Sequence, residues 1–418
     1  MTRGKGEFSF RFSQLVTAAS YSEADVSARP NSLNLFLPTF VGNSVLNKKQ
    51  KGRFDLFLNC DQAAAMQADD EVLEFFVQSC RIAGANQESL HQESREIRKA
   101  LEAAGSQLAA DLTGSGDFTV CWSDSGTGIF NLLRNTGLLK ERRVMTSHLE
   151  HPALSAIFKA EGNPTVFLTC SREGVLEKKE GECDFAAFTA VQSELGVIQD
   201  LPALFGALPE QCIRFADAVQ MAGKLPMRTL GKVADLIAVS GIKFGSPGGA
   251  ALLVRKSAPW SGKFLEDAAR SRHPYYTASR VFPPAALSCA YAVHKRCALL
   301  ESSLEKMKKI NCFLRRELES EHLRFTVPED LSSPYILHCY LPGKQGAVVV
   351  RLLSERNIMA GSGSACAAES AGGSPALKAL GFGKKESFSG LRLSFGFDFA
   401  EEQAEFLAEN LLSVLKNY

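Results

Sequence analysis

Residues 213–254 decide the fold. They read Ile213-Arg214-Phe215-Ala216-Asp217, then Ala218-Val219-Gln220-Met221-Ala222-Gly223-Lys224-Leu225-Pro226, then Leu236-Ile237-Ala238-Val239-Ser240-Gly241-Ile242-Lys243, then Gly248-Gly249-Ala250 running on through Val254. Ile213–Ala216, Leu236–Val239 and Ala250–Val254 are short apolar runs without polar alternation, the pattern of strands covered on both faces. The first run ends in an aspartate, and the second runs on to a lysine. An open α/β sheet gathers its ligands at the carboxyl ends of its strands, so polar residues in those places are candidates for chemistry.

The same pattern extends toward the N-terminus. Phe54–Leu58, Phe118–Trp122, Val144–Thr146 and Thr165–Leu168 are further short apolar segments. Between them, Glu88–Leu112 carries Leu90, Ile97, Leu101, Ala104 and Leu108 at the spacing of one amphipathic helix face. A glycine turn, Ser125-Gly126-Thr127-Gly128, leads into the helix Ile129–Leu133. Strands alternating with helices predict an α/β fold with a mostly parallel sheet between helices. The pattern changes near Ser279–Pro284: a long helix is expected over Ala285–Leu318, strands near Tyr335–Tyr340, and a last helix from Ala400. The expected organisation is a lead-in over 1–54, a large domain over 55–284 and a smaller α+β domain over 285–418.

Composition narrows the function. The 418 residues are 45% hydrophobic and 22% charged with a net charge of +1, as in ordinary globular proteins, and no global field points to nucleic acid or a membrane surface. No apolar run is long enough to span a bilayer. Glu7 and Arg11 break the N-terminal apolar stretch, which argues against a secretory signal. The basic run Asn47–Arg53 reads as a solvated linker. The 11 cysteines form no CxxC pair, so no metal site or disulfide framework is expected, and a reducing, cytoplasmic setting is.

Six features carry chemistry. Asp217 at a strand end could hold a pyridinium nitrogen protonated, or cap a helix. Lys243, just past a buried strand, could be desolvated enough to form a Schiff base, or stand on the surface. Gly126 and Thr127, at a strand-to-helix turn, offer N–H groups and a helix dipole to a phosphate, or merely connect. His151, between Glu150 and Pro152, could stack on a flat cofactor and move protons, or be a satisfied structural histidine. Cys366, in Gly361-Ser362-Gly363-Ser364-Ala365-Cys366-Ala367-Ala368, has small polar company that suits a reactive thiol better than a core residue. Arg392, inside the apolar Leu391-Arg392-Leu393-Ser394, could clamp a substrate carboxylate, or face water at a sheet edge. As a set they suit pyridoxal-phosphate chemistry on an amino acid.

In this order, the chain resembles the cysteine desulfurases of the NifS/IscS kind, in the class V aminotransferase group of fold-type I pyridoxal-phosphate enzymes. The resemblance runs from about Phe54 to the C-terminus. Its most specific stretches are Asp217–Pro226 with Ser240–Lys243, and Gly363-Ser364-Ala365-Cys366 with Leu391–Ser394. Weaker ones are Glu194–Asp200, Glu150-His151-Pro152 and Asn86–His91. It implies a fold-type I transferase in which Lys243 holds the cofactor, aided by Asp217, Gln220, Ser240, Gly126, Thr127, His151 and Ser193. It implies transfer of sulfur from L-cysteine to a persulfide on Cys366, with Arg392 on the substrate carboxylate and L-alanine released. A homodimer is implied, as is a sulfur-acceptor protein such as an iron–sulfur scaffold.

Several positions depart from the family pattern. Ile242 stands where a phosphate-binding histidine is usual, Ser193 replaces an asparagine, and Gly128 replaces a threonine. Arg280 falls near the neighbouring subunit's phosphate threonine and could replace lost phosphate contacts. These departures keep two other readings open: a related class V enzyme (a selenocysteine lyase or an aminotransferase), and a non-catalytic relative serving as scaffold.

Overall fold

The computed structural model describes residues 57–82, 86–87, 89–270, 281–363 and 372–418. The expected lead-in over 1–54, Arg280 and Cys366 lie outside the described residues. Leu58–Tyr418 forms one compact unit.

Strand β1 (Leu58–Asn59) runs parallel to β11 (Ile358–Met359). The main sheet has seven strands: β2 (Phe118–Ser123), β3 (Val144–Ser147), β4 (Thr165–Leu168), β5 (Phe185–Thr189), β6 (Ile213–Asp217), β7 (Leu236–Ser240) and β8 (Ala250–Arg255). Their order is β2-β8-β7-β6-β5-β3-β4, and β8 alone runs against its neighbours. A second, antiparallel sheet sets β10 (Ile336–Tyr340) between β9 (Arg324–Phe325) and β12 (Gly390–Ser394).

The unbroken apolar runs are explained by two cores, one on each face of the main sheet. Phe185, Ala187, Phe215, Leu236, Ala238 and Leu252 face one cluster, with Leu154 and Phe158 of the helix Pro152–Glu161. Ala186, Phe188, Ala216, Ile237 and Leu253 face the other, with Leu101 and Leu108 of the helix Gln92–Thr113 and Val293 of the helix Pro283–Ala298. The two-residue period of a strand shares each run between them. Burying one such phenylalanine contributes roughly 2–3 kcal/mol. A third core fills the space around the smaller sheet, built on Tyr335, Leu337, Leu391 and Leu393.

Four expectations change. The helix predicted over Ala285–Leu318 is two helices, Pro283–Ala298 and Leu300–Leu318, meeting at Leu299. The first buries Cys289 and Val293 in the main-sheet core, and the second buries Met307, Ile310 and Leu314 in the small-sheet core. One straight axis cannot serve both. Strand β5 was not expected, because Phe185-Ala186-Ala187-Phe188-Thr189 has two alanines and little β-branching. The helix expected from Glu88 begins at Gln92, with His91 as its N-cap residue. The early strand is shorter than expected among the described residues, Leu58–Asn59, and joins β11 rather than the main sheet.

One glycine positions the site directly. Gly249 has φ +79° and its carbonyl accepts the Gly241 N–H at 2.8 Å, fixing the turn that presents Lys243. A Cβ there would lie 2.5 Å from the Ala285 carbonyl oxygen. Gly249→Ala should therefore cost about 2–3 kcal/mol of stability, read as a lower urea midpoint at unchanged m-value.

Candidate active site

Parallel neighbours bring their carboxyl ends to one edge. Asp217 closes β6, in register with Thr189 of β5 and Ala238 of β7. Beyond β7 the chain makes one 3₁₀ turn, Gly241–Lys243. A cavity opens at this edge, lined by nine of the eleven residues singled out in the sequence: Gly126, Thr127, His151, Ser193, Asp217, Gln220, Ser240, Lys243 and Arg392. Cys366 and Arg280 are the two outside the described residues.

Each side chain is held by its local structure. The Lys243 amine donates to the Ala64 carbonyl. Asp217 is 6% exposed and accepts the Val219 N–H at 3.1 Å. Burial raises its pKa to about 6, against the opposing pull of that N–H and of Lys243. Gln220 donates Nε2 to the Ala63 carbonyl at 2.9 Å. His151 has the structural partner that one of its two readings expected, and it also borders the cavity. It caps the helix Pro152–Glu161, with Nδ1 accepting the Ala153 N–H at 3.2 Å, and it lines the cavity. Burial first, then Lys243, lowers its pKa and favours the neutral ring. With Nδ1 accepting, Nε2 carries the proton.

The glycine turn is a helix N-terminus. Ser125 caps the helix Gly126–Asn135, its Oγ accepting from Gly128 N at 3.1 Å. A Cβ on residue 128 would lie 2.3 Å from Ser123 Oγ, so a larger residue there requires that hydroxyl to rotate away. The hydroxyls of Thr127 and Ser240 line the cavity and make no hydrogen bond to the described residues. Ile242 is 36% exposed at the rim and supplies no donor.

Arg392 reaches the cavity from β12 of the second sheet. It is a buried residue, not a water-facing edge residue, at 2% exposure. Nη2 pairs with Asp61 at 2.6 Å and Nη1 donates to the Ser193 carbonyl at 2.9 Å, while Nε is buried without a partner. The role of Ser193 is thus partly that of its backbone.

Sequence reading missed three neighbours. Asp61 is the carboxylate on Arg392. Lys224 is 1% exposed and donates to Gln220 Oε1 at 3.2 Å, and no carboxylate pairs with it among the described residues. Burial, then Lys243 and Arg392, lowers its pKa to about 7. Glu150 is 6% exposed, with Oε1 accepting from Ser147 Oγ at 2.6 Å and Oε2 buried and unpartnered. Burial raises its pKa to about 8, with Asp217 adding to the rise. Lys224 and Glu150 both sit inside motifs read for other residues, and only burial singles them out.

These groups fit pyridoxal phosphate. An amine and a buried carboxyl stand at adjacent strand ends, for an aldehyde and a ring nitrogen. Two unengaged hydroxyls lie with a ten-residue helix's first N–H groups, for a phosphate.

A model of the aminotransferase class-V family matches residues 58–407. The chain is 27% identical over 374 residues to the putative cysteine desulfurase IscS 1 of Bacillus subtilis, covering 85% of this chain and 98% of that protein. It is 26% identical over 378 residues to the cysteine desulfurase IscS of Escherichia coli, covering 84% and 90%. Among solved structures, a NifS-like protein superposes with a TM-score of 0.73 at 20% identity, covering 87% of this chain and all of that one. The apo cysteine desulfurase of Thermococcus onnurineus gives 0.71 at 18% identity, covering 87% and 95%. These structural likenesses establish the fold.

Glu150 sets a test of the electrostatics. Its folded pKa is raised from 4.5 to about 8, so the folded state holds a proton that the unfolded state has lost across that window. Stability from this group is therefore lost as pH rises. Unfolding of the apoprotein in urea should show wild type losing stability relative to Glu150→Gln between about pH 5 and pH 8. Parallel curves would mean that Glu150 is solvated or ionised.

Proposed function

Because the chain belongs to the aminotransferase class-V family, we propose that this pyridoxal-phosphate protein is a cysteine desulfurase. In this reading it takes sulfur from L-cysteine, leaves a persulfide on Cys366 and releases L-alanine. The observation that carries the reading is the joint presence of Lys243, Asp217 and two unengaged hydroxyls in one cavity at the sheet's carboxyl edge. The names of the matched relatives supply the substrate class.

Bound there, the cofactor supplies an aldehyde carbon and a protonated ring that takes up electron density. Lys243 Nζ would hold that carbon, and Asp217 would keep the ring nitrogen protonated. Ser240, Thr127 and the Gly126 N–H would hold the phosphate, with Arg280 of the partner subunit as a further contact. His151 would exchange a proton at Nε2, since Nδ1 is occupied by the Ala153 N–H. The unpartnered Nε of Arg392 would receive the substrate carboxylate. The Cys366 thiolate would then attack the substrate sulfur. The carbon–sulfur bond breaks, its electron pair stays with the alanine carbon, and a proton completes the methyl group. Homodimerisation, a cytoplasmic location and an acceptor such as an iron–sulfur scaffold belong to the same proposal. Among the described residues no helix is long and apolar enough to cross a membrane.

One observation favours a second reading. Asp61 already occupies one arm of Arg392, which leaves less of it for a substrate carboxylate and suits a non-catalytic scaffold. Incubating the loaded protein with L-cysteine separates them. Wild type should form alanine and, with a reductant, sulfide, while Cys366→Ala should form neither above background. Alanine formed equally by both would contradict the persulfide route, and none from either would favour the second reading.

A further inference from the structure

Far from the cavity, at the amino ends of the same strands, two cysteines meet. Cys183 stands two residues before β5 and Cys212 one residue before β6. These strands are parallel neighbours, with Phe185 opposite Ile213, and the Ile213 N–H donates to the Asp184 carbonyl at 3.0 Å. The two sulfurs lie 3.1 Å apart, and both residues are buried. The register sets Cys212 one residue out of step with Cys183, so a strand spacing of about 4.8 Å and a rise of about 3.3 Å put their Cα atoms roughly 6 Å apart, inside the separation that a disulfide tolerates. Bond formation needs the sulfurs to close to about 2.05 Å, a movement of roughly an ångström that side-chain rotation can supply.

The surroundings divide the roles. Either thiol can donate to the other; the contact with Cys212 lowers the Cys183 pKa, and the Arg143 and Arg214 guanidiniums assist against burial and Asp184. Cys212 is raised correspondingly, by Cys183 and by burial. The guanidiniums favour the charged form of Cys183, and its partner is already in contact at 3.1 Å.

We propose that Cys183 and Cys212 form a dithiol modification site that a hydroperoxide converts to a disulfide. The Cys183 thiolate attacks one peroxide oxygen, the O–O bond breaks, and Cys183 becomes a sulfenic acid while hydroxide or alkoxide leaves and takes up the thiol's proton. The Cys212 thiol then attacks the Cys183 sulfur, the S–O bond breaks, and water leaves. Two thiols are oxidised by two electrons, and the peroxide is reduced to two molecules of water, or to one of water and one of alcohol. The bond would tie β5 to β6, whose other ends carry Thr189 and Asp217. It needs neither Cys366 nor pyridoxal phosphate, so it stands apart from the proposed activity.

The test uses the full-length protein treated with hydrogen peroxide, then alkylated in denaturant and mapped without reduction. The expected product is a peptide pair joined through Cys183 and Cys212, two hydrogens lighter than the thiols and separated by reductant. The thermal midpoint should rise on oxidation and fall back on reduction. In Cys212→Ser, a dimedone adduct should appear on Cys183. Recovery of both cysteines as alkylated thiols, at a dose that oxidises exposed Cys80 and Cys312, would overturn the proposal. So would linkage of either to a different cysteine, or a dimedone adduct absent from Cys183.

Discussion

A parallel sheet covered on both faces withdraws its strand ends from water, and whatever ionises there must do so at a cost. The cavity is organised by that cost. Asp217 and Glu150 are held toward the protonated state and Lys224 toward the neutral one, in each case with burial as the leading cause. Surface positions would leave all three charged. Removed from water, they become groups whose charge depends on what enters beside them. A cationic ring nitrogen next to Asp217 would restore its charge and be held by it, which is a reciprocal stabilisation.

The scaffold places those groups through unremarkable local rules. Adjacent parallel strands put their ends side by side, a left-handed glycine turns β7 toward the cavity, and a capped helix points its amino end at the same space. The second sheet contributes Arg392, and β1 leads the chain to Asp61, which bridges to Ser394 two residues further along β12. The Asp61–Arg392 pair therefore joins an early and a late stretch of the described chain beside the cavity. An ion pair this covered is costly to break one-sidedly, by about 3–5 kcal/mol, so a substrate carboxylate has more to gain from the unpartnered Nε than from displacing Asp61.

Most of the architecture was legible because it rests on periodicity. The runs at 118, 144, 165, 213, 236 and 250 each became strands, and nine site residues sit at one edge because sequence order and parallel pairing converge there. What escaped depended on tertiary context. Phe185–Thr189 is a strand because both of its faces are buried, not because its residues prefer one. The break at Leu299 follows from two separate cores, which no local signal marks. Glu150 and Lys224 carry ordinary side chains in ordinary-looking positions and only their exclusion from water makes them candidates for chemistry, while Asp61 is marked only by its pairing with Arg392.

The central claim is that Lys243, and not another amine, holds the cofactor. The direct measurement is to load the protein with pyridoxal phosphate, reduce it with borohydride and map the modified lysine by peptide mass spectrometry. The account predicts a single phosphopyridoxyl group on Lys243. Modification of Lys224 instead, the other buried amine near the cavity, or no stable modification at any lysine, would contradict it.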